Sequence, residues 1–254
     1  MTETLGLIGS GNIGTAVARL AVAAGWDVVV SNSRGPETLT ELVAELGEHA
    51  RAGTATEAAQ AGDLVVATVP LKSYDRLPSA ALAGKVVIDT MNYYPDRDGR
   101  ITELDSGGLT SSALVQRHLA ESRVVKAFNN IDYRHLFTSA RPTGAADRSA
   151  LPIAGDEAPA KAMVTRLLDT LGYDAVDTGT LAESWRSEPG TLVYVQPYLA
   201  ERPEGLSPDS AARWFFDTPG VTVSAARVRE LVERAERVVA SEARATAGHA
   251  FKLS

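Results

Sequence analysis

Hydrophobic residues in this chain follow two alternating patterns: short apolar runs, and longer stretches with apolar positions three or four apart. Leu5 to Gly9 is a short run ending in glycine, which predicts a buried first strand. From Asn12 to Gly25 the positions Ile13, Val17, Leu20, Ala21 and Ala24 recur at helical spacing, and Gly25 stands where a helix end favours glycine. Asp27 to Val30 predicts a second, β-branched strand, followed by the polar turn Ser31 to Gly35. Pro36 opens the next helix, with Leu39, Leu42, Val43 and Leu46 on one face. Further strands are predicted at Asp63 to Pro70, Lys85 to Met91 and Arg123 to Phe128. Two more, Leu151 to Ala154 and Tyr173 to Val176, flank a helix from Glu157 to Leu171.

This alternation runs to about Thr180 and implies right-handed βαβ crossovers in a mostly parallel sheet covered on both faces. Beyond it the strand signal fades. Leu181 to Leu199 reads as helical, broken or kinked near Pro189, and Pro203 to Pro208 as a connector. Val223 to Ala247 reads as a long amphipathic helix with Val228, Leu231, Val232, Ala235 and Val238 on one stripe. That stripe covers the core or, alternatively, forms a subunit interface. The expected organisation is a dinucleotide-binding domain over residues 1–179 and a C-terminal helical region over residues 180–254.

Gly9-Ser10-Gly11-Asn12-Ile13-Gly14 matches G-x-G-x-x-G and sits between a first strand and a first helix, where a pyrophosphate-binding turn needs it. Gly9 permits the tight turn, Gly11 lets the phosphates approach the backbone, and Gly14 lets the helix pack close to the sheet. The free N–H groups at the helix start then face the anion. The expected fold class is therefore α/β, a Rossmann doubly wound, mostly parallel sheet with a small C-terminal helical element.

The end of the second strand selects the dinucleotide. An NAD site places a carboxylate there, about twenty residues on, for the ribose hydroxyls. This chain has Ser31, Asn32, Ser33 and Arg34 instead, two hydroxyls, an amide and a guanidinium suited to a 2′-phosphate. NADP(H) is the expected cofactor. Ligands of open parallel sheets lie at the carboxyl ends of the strands, which here puts Pro70, Leu71, Asn92, Asn129 and Asn130 near the site. Val69 and Pro70 are expected to border the nicotinamide, Asn92 to donate a hydrogen bond nearby, and Tyr93 and Tyr94 to wall the acceptor pocket.

Composition narrows the remaining chemistry. The 254 residues are 44% hydrophobic and 22% charged, with a formal net charge of −7, which argues against a nucleic-acid or anionic-membrane surface. The absence of cysteine excludes disulfides and thiolate chemistry. The N-terminus has no basic leader and no apolar stretch is long enough to span a bilayer, so a cytoplasmic protein is expected. His49, His118, His135 and His249 form no metal-ligand spacing, so no metal is expected, and only His135 falls near the site. Asp63, Asp89 and Lys126 read as structural. Gly179 to Ala200 holds no lysine, against a hydroxyacid dehydrogenase with a catalytic lysine there.

The fingerprint GSGNIG, the turn SNSRGPETL, the strands ATVP and VVIDTMNYYPDRDG, and KAFNNI together resemble the F420-dependent NADP reductase family, over roughly residues 4–199. The resemblance implies hydride transfer between NADP(H) and the deazaflavin coenzyme F420. It also implies that Asn32, Ser33 and Arg34 hold the 2′-phosphate, that Gly9 to Gly14 hold the pyrophosphate, and that a C-terminal helical part covers the acceptor and mediates a homodimer. Transfer between two stacked rings is mainly positioning, so no catalytic side chain is named. The stretch from Glu201 to Ser254 has no counterpart in that pattern. Two alternatives stay open: an NADPH-dependent reductase of a small carbonyl, imine or flavin, and a non-catalytic NADP(H)-sensing module.

Overall fold

The computed structural model describes residues 2–237. Eight strands form one sheet: β1 (Thr4–Ile8), β2 (Asp27–Ser31), β3 (Ala50–Ala52), β4 (Leu64–Ala67), β5 (Val86–Asp89), β6 (Arg123–Lys126), β7 (Ala150–Gly155) and β8 (Asp174–Asp177), in the order β3-β2-β1-β4-β5-β6-β7-β8. Neighbours from β3 to β6 are parallel. β7 runs antiparallel to β6, with Val125 opposite Gly155, and β8 is parallel to β7. The central strands are buried along their whole length, as continuous Leu, Val and Ile runs in a sheet covered on both faces should be.

Helices α1 (Asn12–Ala23), α2 (Thr40–Leu46) and α3 (Ala55–Ala61) serve the first half of the sheet. The one-turn helices α4 (Ser79–Leu82), α5 (Pro95–Asp98) and α6 (Thr102–Asp105) lead to α7 (Ser111–His118), α8 (Tyr133–Thr138) and α9 (Ala158–Thr170). α1 turns Val17, Leu20 and Ala21 inward and packs against α8. α9 buries Val164, Leu167 and Leu168 against β6, β7 and β8. Helices α10 (Pro208–Asp217) and α11 (Ala225–Glu233) follow, and α11 inserts Val228, Leu231 and Val232 beside β7 and β8.

Three expectations change. The predicted Pro36 helix opens as a 3-10 turn, Pro36–Leu39, before α2, with the Thr38 N–H and hydroxyl both donating to the Gly35 carbonyl, at 3.2 and 2.8 Å. The predicted Leu181 to Leu199 helix is two short 3-10 turns, Leu181–Ser187 and Gln196–Tyr198, parted by an extended Glu188 and a turn at Pro189 and Gly190. The Val223 to Ala247 helix is seen as Ala225–Glu233, and residues 238–247 lie outside the described residues.

Beneath the carboxyl ends of β5 and β6 lies a wholly buried ion pair. Lys126 Nζ approaches Asp89 Oδ2 at 3.3 Å, donates to the Met91 carbonyl, and donates to Ser111 Oγ at 3.1 Å. Asp89 also accepts from Ser112 Oγ at 2.6 Å and from the Met91 N–H at 2.8 Å. Every polar atom there has a partner, which is what makes such burial tolerable. The pair fixes the backbone that leads from β5 into the site.

Candidate functional site

Strand order reverses at β1, so the crossovers to β2 and from β3 to β4 depart on opposite faces and leave a crevice at the carboxyl ends of β1 and β4. A cleft of about 320 Å³ opens there. Its floor and walls include Gly11, Asn12 and Ile13 after β1, Thr68, Val69 and Pro70 after β4, Thr90 to Asn92 after β5, and Phe128 and Asn129 after β6.

The glycine turn has the local geometry its sequence calls for. Gly9 has φ +113°, and a Cβ there would lie 2.2 Å from the Thr68 carbonyl oxygen. A Cβ on Gly14 would lie 2.3 Å from the Gly9 carbonyl oxygen, so the helix could not seat so close to the turn. Gly11 is different: a Cβ there would meet nothing of the protein within 4 Å. Its smallness leaves open space in front of the first turn of α1, which has no side-chain cap. Uncapped N–H groups facing a cavity are suited to phosphate oxygens.

The turn after β2 divides in two. Asn32, Ser33 and Arg34 reach the surface. Asn32 Oδ1 accepts the Arg34 N–H at 2.9 Å, and Asn32 Nδ2 donates to Thr38 Oγ1 at 2.9 Å, so the turn is held in shape by its own side chains. Among the described residues the Arg34 guanidinium has no hydrogen-bond or ion-pair partner. Ser31 does not belong with this exposed group. It is buried, and its hydroxyl donates to the Leu7 carbonyl at 2.8 Å, tying β2 to β1 instead of facing solvent.

At the other end of the cleft, Asn92 and Asn129 interlock. Asn92 Nδ2 donates to the Asn129 carbonyl at 2.8 Å, and Asn129 Nδ2 donates to Asn92 Oδ1 at 3.1 Å and to the Ser187 carbonyl at 2.7 Å. Asn92 has a second amide hydrogen and points it into the neighbourhood of Tyr94. Tyr94 lines the cleft as expected, and its phenol meets that of Tyr194 from the segment beyond β8. Arg97 stacks over the Tyr94 ring, 4.8 Å from its centroid, and pairs with Asp98 at 2.9 Å. Asp132 caps α8 by accepting the Arg134 N–H at 2.9 Å and also lines the cleft.

Other residues expected near the site lie elsewhere. Tyr93 turns away from the cleft: its hydroxyl bonds Asp105 Oδ1 at 2.9 Å and accepts the Ile101 N–H at 2.9 Å. Asn130 is buried, donating to the Val193 carbonyl and Tyr198 Oη, each at 3.1 Å. His135 is also buried on α8 with its ring edge against Phe215, its centroid 5.8 Å away, and it does not line the cleft. Tyr194, Val195 and Asp132 were not expected. Asp132 carried a signal in sequence, since Asp before a helical stretch is an N-cap. Tyr194 carried none: its segment reads as helical, and nothing in that pattern aims the side chain at the strand ends.

Comparison with known proteins agrees with this architecture. Residues 4–93 match the family described as "NADP oxidoreductase coenzyme F420-dependent". The rat (Rattus norvegicus) metalloreductase STEAP3 is 30% identical over 182 residues, which make up 71% of this chain and 34% of that protein. This chain thus spans about a third of that relative's length. The structure of a hypothetical protein of Sinorhizobium meliloti superposes with a TM-score of 0.68 at 28% identity, covering 79% of this chain and 97% of the other. A proposed F420-dependent NADP-reductase of Arthrobacter sp. FB24 superposes at 0.61 and 24% identity, over 72% and 87% of the two chains, and shows the same fold. Among the described residues no helix is long and apolar enough to cross a membrane, and no cluster of side chains could hold a metal. Over residues 4–93, therefore, this chain is similar to the coenzyme F420-dependent NADP oxidoreductase family, the resemblance that its glycine turn and strand motifs carry.

Proposed function

We propose that the chain is an NADP(H)-dependent oxidoreductase whose partner substrate is a deazaflavin of the coenzyme F420 type. The observation that carries the cofactor half is the pairing of an open cradle at Gly11 with an exposed Arg34, unpartnered among the described residues, on a preformed turn. In this reading Gly9 to Gly14 receive the pyrophosphate, with Ser10, Asn12 and Ile13 supplying the rim. Asn32, Ser33 and Arg34 hold the 2′-phosphate, and Ser31 steadies them from beneath. Val69, Pro70 and Asn92 border the nicotinamide. When bound, NADPH supplies a hydride; the chain orients the two reactants and excludes water between them.

The acceptor half rests on the family match and on the walls of the cleft, where Thr68, Thr90, Asn92, Asn129 and the two tyrosines offer neutral polar groups to a flat heterocycle. Residues 1–179 are proposed as the NADP-binding domain. Residues 180–254 are proposed as the acceptor cover, since Tyr194 and Val195 come from that side, and as the contact of a cytoplasmic homodimer. A second reading, reduction of a small carbonyl or imine, is favoured by the phenol pair in the same cleft.

The test is NADPH oxidation by the full chain with coenzyme F420, FMN, a cyclic imine and no acceptor, side by side. Turnover with F420 at least tenfold above the others is expected. Turnover confined to the imine would replace the first reading by the second, and tight NADPH binding without turnover would leave only the sensing role.

A further inference from the structure

Two residues other than glycine have positive φ among the described residues, Phe128 at +59° and Val195 at +57°, and both line the cleft. Val195 is the more costly. At φ +57° and ψ −56°, with the Gln196 N–H donating to the Tyr194 carbonyl at 2.6 Å, it is the centre of a γ-turn of the rare, strained hand. A β-branched residue pays steeply for that conformation. The surroundings hold it there: the Val195 N–H donates to the Asn130 carbonyl at 2.8 Å, and Asn130 Nδ2 donates to the Val193 carbonyl at 3.1 Å. Strain of this kind persists where the surrounding structure over-determines it. What it does here is aim Tyr194 into the cleft against Tyr94.

The two phenols carry two hydroxyl hydrogens. One is spent between them, and no other group among the described residues accepts from either. One O–H therefore remains to be given to something in the cleft. Both phenols are held in the protonated form by burial: the Tyr194 hydroxyl is pushed well above the ordinary tyrosine range, and that of Tyr94 is raised as well, with the bond to Tyr194 working against the rise. Arg97 faces the pair and favours ionisation, while Asp98 and Asp132 oppose it.

We propose that Tyr94 and Tyr194 act as a joint proton donor to the bound hydride acceptor, at the carbonyl oxygen or imine-type nitrogen that gains charge on reduction. The inference rests on NADP(H) occupying this cleft, as set out above. Reduction of a C=O or C=N bond adds one hydride to carbon and one proton to the heteroatom. NADPH supplies the hydride, becoming NADP⁺. The bonding pair displaced onto the heteroatom takes the phenolic proton, and the phenolate left behind is reprotonated through its partner phenol from water at the cleft mouth. The substrate class is thus one whose reducible carbon is bonded to, or conjugated with, a basic oxygen or nitrogen, a description that fits a ketone and a cyclic imine directly and a deazaflavin through its conjugated ring nitrogen, but not a metal ion.

The test uses the full chain labelled with 13C at tyrosine Cζ, with Tyr94→Phe and Tyr194→Phe to assign the two resonances. Binding of NADP⁺ should move both, whereas 2′,5′-ADP, which carries only the adenosine end, should leave them in place. With an acceptor the wild type reduces, each variant should lower kcat by about 10²-fold while NADPH affinity stays within twofold. Resonances unmoved although NADP⁺ binds would overturn the inference while leaving the cofactor reading intact, as would full kcat in both variants. Failure of NADP⁺ to bind at all would sink both.

Discussion

Replacing Arg34 by glutamate puts the proposed cofactor choice at its most exposed point. The guanidinium lies on the surface with no partner among the described residues, on a turn already fixed by the Asn32 side chain, so little else should move when it changes. A charge-assisted hydrogen bond contributes about 1.5–3 kcal/mol, and at an exposed, screened position the lower end applies. A carboxylate in its place adds repulsion of about 1 kcal/mol against a phosphate charge at ~4 Å in water. The combined loss of about 2.5 kcal/mol corresponds to roughly 60-fold weaker NADPH binding, at about 1.4 kcal/mol per tenfold. NADH, lacking the 2′-phosphate, should change by no more than about twofold, and Arg34→Ala should fall between, near tenfold for NADPH. Isothermal titration with NADPH, NADH and 2′,5′-ADP measures all three. Salt should narrow the NADPH difference. Equal losses for NADPH and NADH would refute the reasoning, because they would mean that the side chain supports the fold of the turn and not the phosphate.

The remaining predictions separate the roles of neighbouring residues. Gly14→Ala should destabilise the fold because its Cβ would meet the Gly9 carbonyl; Gly11→Ala should keep Tm within about 2 °C of the wild type yet weaken NADPH, since its methyl enters open cradle space. A Gly11→Ala protein that binds NADPH normally would contradict the cradle. Lys126→Met leaves the buried Asp89 carboxylate without its cation and should cost about 3 kcal/mol in urea unfolding; a loss below about 1 kcal/mol would show the ion pair to be incidental. Burial also raises Tyr173, Tyr194 and Tyr198 above the ordinary tyrosine value of about 10. The folded chain then keeps protons the unfolded chain releases, so their contribution is full below about pH 10 and is lost as pH rises above it. Tm should fall as pH rises above about 10, less steeply in Tyr198→Phe; a flat Tm from about pH 10 to 11.5 would contradict the assignment.

The legible part of the fold is the part where local pattern and burial coincide. β1, β2, β4, β5 and β6 are apolar runs buried on both faces, so their existence follows from composition alone. β3 escapes that logic: Ala50–Ala52 is short, half exposed and carries Arg51, so nothing in its sequence sets it apart from a loop. The antiparallel seat of β7 is equally silent, because apolar runs fix neither neighbour nor direction. α10 is not among the predicted elements, although Ser207 before Pro208 pairs an N-cap with a first-turn proline, and the Ser207 hydroxyl accepts the Ser210 N–H at 3.2 Å. At the site, the glycine turn and the strand-end residues Val69, Pro70 and Asn92 could be read because spacing alone brings them together. Tyr194 could not: it meets Tyr94 across one hundred residues of chain, and its direction is set by the strained backbone of Val195.

The most direct measurement is a crystal structure of the full chain with NADP⁺. The account requires the pyrophosphate against Gly11, Asn12 and Ile13, the 2′-phosphate within hydrogen-bond reach of Arg34, and the nicotinamide beside Pro70 with one face toward the Tyr94–Tyr194 pair. A dinucleotide bound with its adenosine phosphate away from Arg34, or with the nicotinamide outside this cleft, would contradict it.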